Sequence, residues 1–216
     1  MPIIHDVEQY SDAYDQLRRG IPTASQFDKI ITPGGKPSAS WKKYAYHLIA
    51  ERFLGRKVDS YTSPYMERGL ELESDSVEFY EMMRDVKAER VGFITTDDKL
   101  IGCSPDRLIG EDGLLECKVP APATHVEYLL SGEIDQKYKP QCQGQLFVSD
   151  RKWVDILSYH PEMPPVIIRV ERDPVFIACL ENLLWEFNSF LREVMTKIES
   201  LTPKKGNTDV KTQIQF

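Results

Sequence analysis

The sequence predicts a mixed α/β fold, a central β-sheet flanked by helices, and three observations carry that expectation. Apolar residues recur at helical spacing up to Tyr80, then at strand spacing from Val91 onward. The dipeptide Asp112-Gly113 sits between two short apolar runs, a strong local signal for a two-residue hairpin. After it come helix, two strands and a long amphipathic helix, so helices and strands interleave.

Taken in order, residues 1–20 read as a short helical lead-in ending at Leu17-Arg18-Arg19-Gly20. Thr23 or Ser25 can cap a second helix through Ile31, which Pro33-Gly34-Gly35 breaks. Over residues 40–54, Trp41, Tyr44, Ala45, Leu48, Ile49 and Phe53 keep helical spacing, and Gly55 stops the run. A longer helix begins at Ser63-Pro64, a capping residue followed by proline at the first helical position. Its apolar stripe is Met66, Leu70, Val77 and Tyr80. Residues 91–95 and 100–103 read as strands joined by an Asp97-Asp98 turn, and residues 107–109 and 114–119 as the two arms of the hairpin. Helical pattern returns over 125–130, closed by Gly132, and over 141–148. Residues 153–159 and 166–170 are two further strands, and a last amphipathic helix runs from about Pro174 to Ser200.

With 216 residues, 41% of them hydrophobic and 28% charged, the chain reads as one globular domain able to bury a core. We place that domain at residues 1–201, with a loose polar tail over 202–216. No run approaches the roughly 18 apolar residues of a spanning helix, so no membrane is expected among its partners. The N-terminus lacks the basic-then-apolar pattern of a secretory signal. Cys103, Cys117, Cys142 and Cys179 form no CxxC pair, which points to reduced thiols in a cytoplasmic protein. The formal charge of −7 argues against a general nucleic-acid coat protein. A metal nuclease nevertheless needs carboxylates, and an acidic total can hide a basic channel.

Three groups of residues ask for a chemical explanation. The first is the hairpin S-P-D-R-L-I-G-E-D-G-L-L-E-C-K. Strand alternation puts Glu116 and Lys118 on one face and Leu115, Cys117 and Val119 on the other, and the hairpin returns Asp106 toward Glu116. Two carboxylates converging beside an ammonium can hold a hard cation next to a scissile phosphate, with the lysine orienting or deprotonating the attacking water. E-x-K alone describes many solvated strand faces; the upstream S-P-D and the intervening turn single this one out.

The second is Glu73, seven residues from both Met66 and Tyr80 on the apolar stripe. A carboxylate there is costly unless paired or metal-bound, although a stripe-edge glutamate that reaches water has the same spacing. The third is Gln141, Gln143 and Gln145, whose amides can serve phosphates near a site or face solvent on a polar helix side. His5, His47, His125 and His160 have no ligand spacing and read as structural.

Together these residues resemble the PD-(D/E)xK nuclease superfamily and, within it, the phage lambda exonuclease type, the YqaJ-like viral recombinases. The likeness covers nearly the whole chain in order. Leu17-Arg18-x-Gly20 with Thr23-Ala24-Ser25 looks like the family's N-terminal phosphate-binding motif, and Gly69-x-x-x-Glu73 like its helical glutamate. Cys103-Ser104-Pro105-Asp106 and Leu115-Glu116-Cys117-Lys118 match its core motif, and Tyr138-x-x-Gln141-x-Gln143 its glutamine helix. Tyr159-x-Pro161 and Glu171-Arg172-Asp173 follow in the expected places. Tyr14 stands where the lambda-type enzyme has another aromatic, and Cys117 replaces leucine between the catalytic pair.

The resemblance implies a restriction-endonuclease-like core. It implies Mg²⁺, with Mn²⁺ also serving, held by Asp106, Glu116 and the backbone carbonyl of Cys117 with help from Glu73, while Lys118 acts on the water. Arg18, Ser25 and Ser104 would then form a pocket for a terminal 5′-phosphate, where a guanidinium and two hydroxyls suit phosphate oxygens. Gln141 and Gln143 would contact DNA. Such enzymes digest one strand of linear double-stranded DNA from the 5′ end to mononucleotides. The 3′ overhang left behind serves a single-strand annealing recombinase in prophage-type recombination, and the enzymes assemble as ring-shaped homotrimers. Two other readings compete. A site-specific endonuclease on the same core would need base-reading loops that no insertion supplies. A non-catalytic DNA-end-binding recombination accessory would gain little from carboxylates facing phosphate.

Overall fold

The interleaved helix and strand patterns become a mixed five-stranded sheet with helices on both faces. The computed structural model describes residues 1–58 and 64–201, apart from the side chains of residues 64–67 and 70. Ser63, the Met66 and Leu70 side chains and the tail over 202–216 therefore lie outside the described residues.

In chain order the elements are β1 (Ile3–His5), α1 (Asp12–Arg18), a 3-10 helix (Ala24–Lys29), α2 (Trp41–Leu54) and α3 (Pro64–Arg84). Then come β2 (Ala88–Glu89), β3 (Phe93–Thr95), β4 (Gly102–Cys103), β5 (Arg107–Ile109) and β6 (Gly113–Lys118). The chain continues through α4 (Pro122–Ser131), a 3-10 turn (Gln136–Tyr138), α5 (Lys139–Ser149), β7 (Trp153–Ser158), β8 (Val166–Glu171) and α6 (Pro174–Leu201).

The main sheet has the order β2-β5-β6-β7-β8. Its one parallel pair is β6 with β7, because α4 and α5 carry the chain back between them. A smaller antiparallel sheet, β1-β3-β4, lies earlier in the chain, and β4 runs almost directly into β5. Alternation then sorts the strand side chains. Leu108, Leu114, Val154 and Ile156 enter a large core shared with α2, α5 and α6. Ile109, Leu115 and Leu157 enter a smaller core under α3, closed by Val77 and Tyr80. Each fully buried aliphatic side chain contributes about 1.5–3 kcal/mol. Trp41 and Tyr44 pack on Phe187, which fastens α2 to α6.

Helix stops fall where glycine predicts them. Gly55 and Gly132 close α2 and α4 at φ 63° and 68°, each donating its N–H back to the last turn. The N-terminal segment differs from expectation. Residues 3–5 are a strand paired with β3, too short to show a period of its own, and only α1 is helical. The segment after Thr23 is a 3-10 helix, and the Thr23 hydroxyl makes no cap because it bonds Arg18 and Ser25 instead. All four cysteines are free. His125 is buried between the Ser158 hydroxyl at 2.7 Å and the Pro164 carbonyl at 2.9 Å, a structural role. Among the described residues no helix is long and apolar enough to cross a membrane.

Candidate active site

β5 pairs with β6 in the register Arg107↔Leu115, so Asp106 at the β5 entrance stands across from Glu116. Glu116 shares its face with Leu114, the face covered by α5. The Cys117 N–H donates to Asp106 Oδ2 at 2.6 Å, which ties the first carboxylate to the strand carrying the second. Glu116 is buried and fully engaged. Its Oε1 accepts from Lys118 Nζ and from Gln141 Nε2, both at 2.6 Å, and its Oε2 from Gln145 Nε2 at 2.5 Å. Lys118 Nζ also donates to Gln141 Oε1 at 3.2 Å.

This packing crowds negative charge. Burial and the nearby Glu116 carboxylate together raise the Asp106 pKa well above the usual carboxylate range, against the opposing pull of Lys118 and the Cys117 N–H. Burial alone would lower the Lys118 pKa, yet Glu116 and Asp106 outweigh it and hold the ammonium above its ordinary value. With both carboxylates free of metal, Lys118 keeps its proton and its ammonium is clasped to Glu116. Burial likewise lifts the Cys117 thiol well above its normal range, so its side chain is not a ready ligand.

Two clustered carboxylates with surplus negative charge fit a hard divalent cation. Gln145 Oε1, beside Glu116, is buried without a hydrogen-bond partner, a further sign of unfinished polar coordination. Among the described residues no three His, Cys, Asp or Glu side chains group closely enough to hold a metal alone. A backbone or amide oxygen, or water, can complete such a set. In an extended strand the N–H and C=O of one residue leave by the same edge, so the Cys117 carbonyl leaves on the Asp106 side, beyond the β5 pairing.

Glu73 reaches this end of the sheet from α3, and its Oε1 pairs with Arg107 Nη1 at 2.8 Å. The same guanidinium donates to the Asp106 carbonyl at 2.5 Å. Glu73 is thus brought beside the acidic pair, paired with an arginine that the motif reading passed over. Gln143 requires a correction. It is buried, its Nε2 donates to the Glu171 carbonyl and its Oε1 accepts from the Asp173 N–H, both at 2.8 Å, so it locks α5 to the start of α6 and faces no DNA. Helical geometry gives the reason. Residues four apart share a face and residues two apart do not, so Gln145 joins Gln141 at Glu116.

The three residues expected to hold a terminal phosphate lie on one hydrogen-bonded string. Tyr14 donates its hydroxyl to Ser104 Oγ at 2.9 Å and receives a bond from Arg18, whose guanidinium also lies over the Tyr14 ring. Arg18 reaches Thr23 Oγ1 at 3.5 Å, and that hydroxyl is 3.4 Å from Ser25 Oγ. Thr23 lies inside the motif and Tyr14 at a family aromatic position, but the sequence assigns neither a role; Tyr14 and Arg18 stand four apart on one helix. Gly144 lets this region close on α5, because a Cβ there would collide with the Phe27 ring. Ser104 and Asp106, two residues apart, join the string to the acidic pair.

A second buried carboxylate lies on the α3 face. Asp155 accepts from Arg169 Nε and Nη2 at 2.8 and 2.9 Å and from Tyr80 at 2.8 Å, with Arg169 stacked on Trp153. It fixes α3 to the sheet, and the lone acid in the buried strand W-V-D-I-L-S was its signal.

Residues 13–152 match the family described as the YqaJ-like viral recombinase domain. Among solved structures, the chain is similar to an alkaline exonuclease from Laribacter hongkongensis, at 28% identity and TM-score 0.80, covering 88% of this chain and 97% of that one. The complex of that enzyme with dAMP gives 29% identity and TM-score 0.81 over the same shares. A phage-related exonuclease from Haemophilus somnus shares the fold at 13% identity and TM-score 0.65, covering 85% of this chain and 99% of its own. No curated protein sequence matches the chain.

Proposed function

Because the chain belongs to the YqaJ-like viral recombinase family, we propose that it is a Mg²⁺-dependent exonuclease digesting one strand of linear double-stranded DNA from the 5′ end. It releases mononucleotides and leaves a 3′ overhang for a single-strand annealing recombinase. The observation that carries this reading is the convergence of Asp106 and Glu116 at one strand end, with Lys118 clasped to Glu116. Similarity to an alkaline exonuclease over most of both chains supports the same class.

Asp106, Glu116 and the Cys117 carbonyl are the groups that hold the cation, with Glu73 available once Arg107 releases it. When bound, the cation offsets the carboxylates' repulsion and polarises the scissile phosphodiester. Lys118 orients the attacking water, and Gln141 and Gln145 fix the Glu116 carboxylate that Lys118 leans on. Arg18, Ser25 and Ser104 grip the terminal 5′-phosphate, aligned by Tyr14 and Thr23. Mn²⁺ shares the preference for oxygen ligands and supports activity as well. We place the protein in the cytoplasm as a homotrimeric ring, in which closure around duplex keeps an acidic chain on DNA without high affinity.

Digestion of end-labelled linear duplex against covalently closed circles, each with Mg²⁺ and with EDTA, tests the proposal. Linear DNA alone should be lost, and only with metal. Cutting of circles would point to an endonuclease, and end binding without cutting to an accessory protein.

A further inference from the structure

We propose that Glu51 and Arg52, both on α2, are positioning residues that aim Arg18 at the terminal 5′-phosphate, an inference that rests on the phosphate grip proposed above. Arg18 is the last residue of α1, and Ser25 lies in the 3-10 helix that follows. The connection between them therefore sets how the guanidinium and the hydroxyl stand to each other. It opens on a tight turn. The Ile21 N–H donates to the Arg18 carbonyl at 3.3 Å, Arg19 has φ −60° and ψ 121°, and Gly20 has φ 68°. These angles mark a type II turn, whose third residue takes a positive φ that favours glycine.

A type II turn differs from the commoner type I by a flip of its central peptide, whose N–H here belongs to Gly20. α2 opposes that flip. The buried Glu51 carboxylate accepts from the Gly20 N–H at 3.0 Å through Oε2, and Arg52 Nε donates to the Gly20 carbonyl at 2.7 Å. Both backbone polar groups of Gly20 are thus held by adjacent side chains of one helix, and both bonds are charge-assisted. The approach is close enough that a Cβ on Gly20 would collide with the Arg52 side chain. The far end of the connection is anchored as well. The Thr23 N–H donates to the Tyr44 hydroxyl of α2 at 3.4 Å, and the Pro22 carbonyl accepts from the Gly102 N–H of β4 at 3.1 Å. Tyr14 and Thr23 hold the tip of Arg18, while the α2 clamp holds the backbone that carries it. A guanidinium fixed at both ends loses less freedom when it takes up a phosphate.

The test uses the full chain and single-turnover cleavage of two linear duplexes that differ only in carrying a 5′-phosphate or a 5′-hydroxyl. The readout is the ratio of the two rates. Arg52→Ala and Glu51→Leu should each lower that ratio by about 5-fold or more, the factor that one hydrogen bond of about 1 kcal/mol corresponds to. Glu51→Gln should keep the ratio, because its amide oxygen still accepts from the Gly20 N–H. Because the clamp acts through Arg18, the double variant Arg18→Ala, Arg52→Ala should cut 5′-phosphorylated duplex no more slowly than Arg18→Ala alone. A merely structural role would slow both duplexes alike and leave the ratio unmoved. An unchanged ratio in Arg52→Ala, or a double variant slower than Arg18→Ala, would overturn the proposal. Should Glu51→Leu not fold, Arg52→Ala, at a half-buried position, carries the test. Wild type that cuts both duplexes at one rate would sink the phosphate grip itself, a separate failure.

Discussion

Asp106→Asn should make the metal-free protein more stable. Asp106 is held next to Glu116 with a pKa raised first by burial and then by that neighbour's charge, so its ionised form costs folding energy. The substitution keeps an oxygen for the Cys117 N–H, now 2.6 Å away, and removes the repulsion. Relieving strain of this kind at a functional site contributes about 0.5–2 kcal/mol. For a chain this long that is roughly 1–8 °C in Tm. The pH dependence has a definite sign. With the folded pKa above the ordinary value of 3.8, the penalty is absent below that ordinary value, where Asp106 is protonated folded and unfolded alike, grows between the two, and is complete above the raised folded pKa. The gap between variant and wild type should thus widen as pH rises through that interval. Thermal unfolding in EDTA across a pH series measures it. Added Mg²⁺ should then raise the Tm of wild type and leave the variant unmoved, since only a ligand bound to the folded state stabilises it. A variant that melts at or below the wild-type temperature at mildly alkaline pH in EDTA would refute the electrostatic account of the acidic pair.

Other outcomes follow from the same geometry. Arg18→Ala should erase the preference for 5′-phosphorylated over 5′-hydroxyl duplex, a preference of roughly 10- to 150-fold from one charge-assisted contact. Equal slowing on both substrates would make Arg18 a general DNA contact. Glu73→Gln should reduce activity less than loss of either core carboxylate, because its partner is Arg107. A rate as low as that of Glu116→Gln would promote Glu73 to a full ligand. Arg169→Ala should destabilise by no more than about 3 kcal/mol, the low end for stranding a buried charge, since Tyr80 still bonds Asp155 and Arg84 still lies 4.0 Å from it. Denaturant titration showing no change would remove this pair from the scaffold.

The sequence exposed most of the fold because its long elements carry strong periods and its stops carry glycine. Segments of two or three residues, β1 and β2, left no period to read and are set by pairing with distant strands. The acidic pair was legible because strand alternation and one hairpin bring Asp106 to Glu116 without distant information. The glutamines were only half legible: treating Gln141 and Gln143 as a unit ignored the helical period that sends Gln143 to Glu171 and Asp173. Arg107 was hidden for another reason. Its face depends on α3 covering one side of the sheet, a packing fact that no local pattern encodes.

We propose that Asp106, Glu116 and Lys118 form a metal-dependent DNA-cleaving centre. It is tested most directly by mononucleotide release from 5′-phosphorylated duplex by wild type, Asp106→Ala and Lys118→Ala, with duplex binding measured in Ca²⁺. Ca²⁺ satisfies oxygen ligands with looser geometry, so it should support binding without turnover. Both variants should lose release by orders of magnitude, and Lys118→Ala should still bind duplex, because affinity comes mainly from other phosphate contacts. Steady release by either variant near the wild-type rate, or by wild type in excess EDTA, would contradict the claim.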